Sequence, residues 1–141
     1  MKIRRLRFGD TAELEKVSAC FDHTVRPAAA KRFLESEVHH ILVAYEDEAA
    51  VGFVTGVETT HPDKGTEMFL YELAVDERFR RRGHGAELVS ALAGIARERG
   101  CYGMWVGVEE DNVGALATYR ATGAASEGRF MMLSWKFAAS E

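Results

Sequence analysis

A chain of 141 residues, 47% hydrophobic and 28% charged, is long enough to bury a real core and is neither collagen-like nor disordered in composition. A net charge of −4 argues against nucleic acid as a partner, and Cys20 and Cys101 show no paired spacing, which argues against a disulfide framework or zinc site and for a reducing cytoplasm. No run of 18 apolar residues could span a bilayer, and polar Gly9-Asp10-Thr11 follows the basic start where an export signal would turn apolar.

With no internal repeat, no linker-like tract and only Pro27 and Pro62 as prolines, residues 1–141 are expected to form one domain. Residues 2–8 alternate in a rough strand pattern. Asp10 or Thr11 would cap a helix to about Cys20 with Leu14 and Val17 inward. Pro27 would open a second helix to about Val38 with Phe33 and Leu34 inward. Apolar, β-branched runs at 41–45 and 51–57 flank Glu46-Asp47-Glu48 and read as a hairpin. Residues 67–75 give a third long strand. A helix over 86–99 carries Leu88, Leu92 and Ile95 at helical spacing and ends at Gly100. Then come a strand at 102–108, a helix at 112–122 closed by Gly123, and a last strand at 130–137. This order implies an α/β (α+β) chain with a mixed sheet covered by helices.

The informative stretch is Phe69-Leu-Tyr-Glu-Leu-Ala-Val75 followed by Arg80-Arg81-Arg82-Gly83-His84-Gly85, set between a strand and a helix. Glycines let successive backbone N–H groups turn to one side, and the next helix adds its unpaired N–H groups and positive dipole end. Three arginines supply charge. These parts suit a pyrophosphate, yet the spacing Arg-x-x-Gly-x-Gly is neither the Rossmann fingerprint nor the P-loop. Taken alone, such a loop is as readily a solvated turn with a helix cap.

The segment resembles the GNAT superfamily of N-acetyltransferases, whose acetyl-CoA loop has the form Arg/Gln-x-x-Gly-x-Gly/Ala after a strand ending like Leu73-Ala74-Val75. Asn112-x-x-Ala115-x-x-x-Tyr119-x-x-x-Gly123 matches a second family element at the expected distance. The resemblance covers 66–124 well and the N-terminal third by element order only. It implies a central mixed sheet of six or seven strands, about four flanking helices, and a V-shaped opening between 67–75 and 102–108 that takes the pantetheine arm of acetyl-CoA. The main chain of Leu73, Ala74 and Val75 would pair with that arm, and an N–H near Val75 would face the thioester oxygen. The pyrophosphate would meet the loop from Arg80 through Arg81, Arg82, Gly83, His84, Gly85 and Ala86.

The same resemblance makes Tyr119 the general acid that protonates the departing CoA thiolate; helix spacing alone favours a core tyrosine. Glu72, mid-strand among apolar residues, is either a base or anchor for the amine or a carboxylate paired with an arginine. Asn112 either bonds the pantetheine, caps its helix, or does both. Cys101 would serve an acetyl-cysteine route, but a small buried thiol is the simpler reading. His23, His39, His40, His61 and His84 lack a ligand pattern, so no metal is expected.

Among GNAT proteins, segment 69–75 with the acidic run Glu109-Glu110-Asp111 looks like the type I aminoglycoside 3-N-acetyltransferases. This resemblance implies a small cationic amine held by Glu72, Glu109, Glu110 and Asp111. It also points to antibiotic resistance as the role. A protein N-terminus, a lysine or another small amine remains open as acceptor, as do a non-catalytic CoA-binding module and a homodimer.

Overall fold

The computed structural model describes residues 1–138. Its elements are β1 (Lys2–Arg5), α1 (Thr11–Lys16), a 3₁₀ turn (Ser18–Cys20), α2 (Pro27–Glu35), β2 (His39–Glu46), β3 (Ala49–His61) and β4 (Gly65–Val75). A second 3₁₀ turn (Glu77–Phe79), α3 (His84–Glu98), β5 (Met104–Trp105) and α4 (Val113–Ala121) follow. The five strands lie in chain order, β1 to β4 antiparallel and β5 parallel to β4. A parallel pair needs a crossover, and α3 provides it.

Period-two alternation sorts the strands onto two cores. Leu42, Val54, Met68 and Leu70 pack with Leu88, Leu92 and Tyr119 of α3 and α4. Ile41, Val43, Tyr45 and Phe53 face the other way, against Leu14, Val17 and Leu34. Each such side chain withdrawn from water stabilises the fold by roughly 1.5–3 kcal/mol, so both faces are firmly covered.

Several expectations need correction. The sheet has five strands among the described residues, not six or seven. Residues 130–137 form no strand: their apolar character licenses one, but a strand needs an edge to pair with, and among the described residues they pair with none. The strand expected at 102–108 pairs only at Met104 and Trp105. The first helix stops at Lys16 before its 3₁₀ turn, and the second at Glu35, where Ser36 turns extended with ψ 135°.

Two local features set the end of β4. Thr55 pairs with Glu72 but Gly56 pairs with Leu70, so Tyr71 is an extra, unopposed residue. Such a bulge bends the strand and raises its twist. Further along, β3 approaches β4 closely at Gly52, where a Cβ would lie 2.8 Å from the Ala74 carbonyl oxygen and 3.2 Å from Val75 Cα. Both obstacles are backbone and cannot swing aside. Gly52→Ala should therefore lower the urea midpoint at unchanged slope, by about 1–3 kcal/mol of stability; an unchanged midpoint would mean that β3 and β4 separate freely there.

Candidate active site

Parallel pairing of β4 with β5 covers only Met68 with Met104 and Phe69 with Trp105. Main-chain bonds from Met68 N to the Gly103 oxygen and from Tyr102 N to the Thr66 oxygen, both 2.9 Å, close this end. Phe69 stacks on Trp105, ring centres 4.3 Å apart. Past that apex the bulge at Tyr71 carries β4 away, and among the described residues 106–108 have no ladder partner. The edge of β4 from Tyr71 to Val75 thus lines an opening in which backbone groups need partners. An extended chain bearing amides fits such an edge. Leu73 faces the α3 side and Ala74 the α1–α2 side.

The basic loop lies at the end of this edge. Asp76 accepts from Arg78 N at 3.0 Å and pairs with the Arg78 guanidinium at 3.0 Å, which stiffens the first turn. Arg80 Nε donates to the Val75 carbonyl at 3.0 Å, tying the loop to the strand. Arg82 donates to both Glu46 oxygens at 2.8 and 3.1 Å and lies over the Phe79 ring. Arg80 and Arg82 thus brace the loop, while Arg81 makes no ion pair among the described residues. Arg81 (φ 65°) and Gly83 (φ 85°) are both left-handed, which aims successive N–H groups into one concavity. No side chain caps α3, so the first-turn N–H groups at His84, Gly85 and Ala86 stay available to an anion.

His84 is 2% exposed. Its ring nitrogens have no hydrogen-bond partner among the described residues, although Nε2 lies 3.5 Å from a Glu46 oxygen. That contact does not meet the geometry of a hydrogen bond. His84 therefore offers the loop its backbone, not its ring.

Helix α4 leans on the loop through Thr118, whose methyl would lie 3.4 Å from a Cβ at Gly85. Tyr119, one residue on, is 9% exposed. Burial pushes its hydroxyl above the ordinary tyrosine range, and nothing accepts its proton among the described residues. Asn112 caps the helix, its Oδ1 accepting from Ala115 N at 3.1 Å. Burial raises the thiol pKa of both Cys20 and Cys101, so neither is an activated nucleophile.

On the opposite sheet face, Glu72 and Thr55 are cross-strand neighbours. The Thr55 hydroxyl is buried without a partner. The Glu72 carboxyl pKa is raised, first by burial, then by the charge of Asp22 and a hydrogen bond with it, while His23 opposes the rise. Asp22 and His23 belong to the loop before α2, along an open recess of about 510 Å³ that Glu15, Ser18 and Thr24 also line. Asp22 escaped the sequence reading because nothing in its spacing marks it; the only signal was an Asp-His pair between two helices. Glu109, Glu110 and Asp111 are exposed, and Glu110 pairs with Arg129 at 2.9 Å. No hydrogen bond or ion pair among the described residues joins them to Glu72.

Residues 10–124 match the acetyltransferase (GNAT) family. The chain belongs to that family. It is 26% identical to bovine (Bos taurus) thialysine N-epsilon-acetyltransferase over 123 residues, 82% of this chain and 72% of the relative. Its fold is similar to an aminoglycoside acetyltransferase, meta-AAC0020, from an uncultured soil metagenomic sample, with a TM-score of 0.88, 21% identity, and coverage of 97% and 96% of the two chains. It is also similar to the aminoglycoside N-acetyltransferase AAC(6′)-Iy in complex with CoA, with a TM-score of 0.82, 20% identity, and coverage of 96% and 99%. The aminoglycoside likeness therefore does not single out the 3-N type. This GNAT chain is an acetyl-CoA-dependent N-acetyltransferase.

At Gly85 a side chain would enter the narrow space between Thr118 and Leu73, whose Cδ2 would be 4.0 Å from its Cβ. A folded Gly85→Glu variant should lose calorimetric acetyl-CoA binding, since it fills the cradle and sets a negative charge at the helix start. Unchanged affinity would place the CoA site elsewhere.

Proposed function

We propose that this GNAT acetyltransferase moves acetyl directly from acetyl-CoA to a primary amine of a small cationic acceptor, the 3-amino group of an aminoglycoside being one candidate. The observation that carries this reading is the half-buried Glu72 carboxyl at mid-strand in β4, whose proton affinity burial and the charge of Asp22 both raise. The names of the bovine and soil relatives both imply acceptors bearing amines.

An ammonium group must be attracted as a cation and then attack as a neutral amine. A negative Asp22 beside Glu72 serves both steps, because it attracts the ammonium while it helps burial raise the Glu72 carboxyl pKa toward that of a useful base. Glu72 takes the amine proton, directly or through water, and Asp22 tunes it. Main-chain N–H groups at Leu73–Val75 stabilise the charge that develops on the carbonyl oxygen. The loop N–H groups from Arg81 to Ala86, with Arg81, hold the pyrophosphate. Tyr119, kept protonated by burial, donates to the sulfur as the C–S bond breaks.

The protonated thiols favour direct transfer over a thiol-bound intermediate. The acidic run 109–111 stays outside this proposal: Arg129 engages Glu110, and the run favours the positive end of α4.

Tyr119→Phe should lower kcat by about 100-fold while leaving the Michaelis constant for acetyl-CoA nearly unchanged. Asp22→Asn removes a charge that holds the Glu72 carboxyl proton on, so the acidic limb of the kcat/KM profile should move to lower pH. Glu72→Gln should remove that limb and depress kcat. An unshifted limb in Asp22→Asn, or parallel initial-rate lines that vanish in Cys101→Ala, would overturn the assignment of these roles. CoA release across aminoglycosides, diamino acids, polyamines and peptides identifies the acceptor.

A further inference from the structure

Among the described residues, buried side-chain atoms without a hydrogen-bond partner belong to Thr55, through its hydroxyl, and to His84, through both ring nitrogens. Each nitrogen of an imidazole is a donor or an acceptor, and an unpaired polar group held away from water destabilises the fold. At His84, the first residue of α3 and 2% exposed, that cost falls twice on one side chain. An orphaned group of this kind calls for a reason beyond packing.

The charges around the ring supply one. Its Nε2 faces Glu46 at the end of β2, 3.5 Å away, and Arg82 already holds both oxygens of that carboxylate. Helix α3 adds Glu87 in its first turn, the loop adds Arg81, and α4 meets the helix start through uncharged Thr118. The acids of the neighbouring strands are engaged elsewhere: Glu58 of β3 binds His40 and Arg99, and in β4 Glu67 stands near the start while Glu72 faces Asp22 on the other side of the sheet. An imidazolium at this position would be repelled by Arg82 and by the positive end of α3, and a buried charge without a hydrogen bond is costly. The ring is therefore carried neutral and unbonded. A pyrophosphate on the loop reverses the balance. Its negative charges offset the helix end and the arginines, and an imidazolium then gains Glu46 as a charge-assisted hydrogen-bond partner.

We propose that His84 is a proton-linked positioning residue: when the pyrophosphate of CoA settles on the 81–86 loop, the ring takes up a proton from solvent and its Nε2–H closes onto Glu46, fastening the start of α3 to the end of β2. One N–H bond forms on the ring, no bond within the chain breaks, and nothing is oxidised or reduced. The inference rests on the loop being the CoA site and concerns how that site is held; His84 acts through Glu46 and leaves the ligand to the main chain. Because the bound state carries the extra proton, CoA affinity should rise as pH falls, by up to about tenfold per pH unit for a single proton.

Calorimetry of CoA binding in two buffers of different ionisation enthalpy counts the protons taken up. At roughly pH 7, where histidines titrate, wild-type protein should take up more than His84→Gln by a sizeable part of one proton, a difference from which the titration of CoA's own phosphates cancels. Glu46→Gln should lose the uptake as His84→Gln does. In wild-type protein with ¹⁵N-labelled histidine, the His84 ring signals should pass from the neutral to the imidazolium pattern when CoA is added, a reading that needs no variant to fold. Equal proton counts in wild type and His84→Gln, uptake that persists in Glu46→Gln, or a His84 ring that stays neutral in the CoA complex would overturn the proposal. Undiminished CoA binding in Gly85→Glu would overturn the loop site and this proposal with it, whereas binding at the loop without the proton overturns this proposal alone.

Discussion

The whole site depends on the brevity of one parallel pairing. Strands β4 and β5 hold together for two residue pairs and then part, because the extra residue Tyr71 twists β4 away just past Phe69. Continuous pairing would have consumed the β4 backbone groups as structure. Interrupted pairing leaves them without a strand partner on that edge among the described residues. The Phe69–Trp105 stack at the apex and the close β3 backbone at Gly52 hold the two arms in place.

Charge around the opening is divided by sheet face. On the α3 side, left-handed Arg81 and Gly83 and an uncapped helix start offer N–H groups, while Glu46 and the Val75 carbonyl occupy two of the three arginines. What the loop offers an anion is thus chiefly main chain. On the other side, burial and then the charge of Asp22 push the proton affinity of Glu72 upward at a half-buried position. A cation and an anion can therefore approach the same strand from opposite faces without competing for the same groups.

What the sequence could reveal follows from how local each feature is. The loop at 80–86 and the helix with Asn112 and Tyr119 depend on short-range spacing; the loop follows β4, and α4 meets it where Thr118 approaches Gly85. Asp22 depends on how a connection folds over a sheet forty or more residues further along, and no local pattern encodes that. Segment 130–137 was misread for the converse reason: its composition is that of a strand, but strand formation needs a paired edge, and the segment has no ladder partner among the described residues. The same missing pairing accounts for five strands instead of six or seven. The acidic run 109–111 drew attention by composition, yet its position joins Arg129 and the start of α4 rather than Glu72.

The central claim is that the splayed β4 edge and the loop before α3 form one continuous main-chain binding surface for CoA. Residue-resolved amide hydrogen exchange with and without saturating CoA tests it directly, because each N–H that gains a partner is slowed individually. The account predicts slowed exchange at amides within 71–75 and 81–86 together, with β1 and β2 unaffected. Saturated binding that left both segments unchanged, or protected the loop alone, would contradict it.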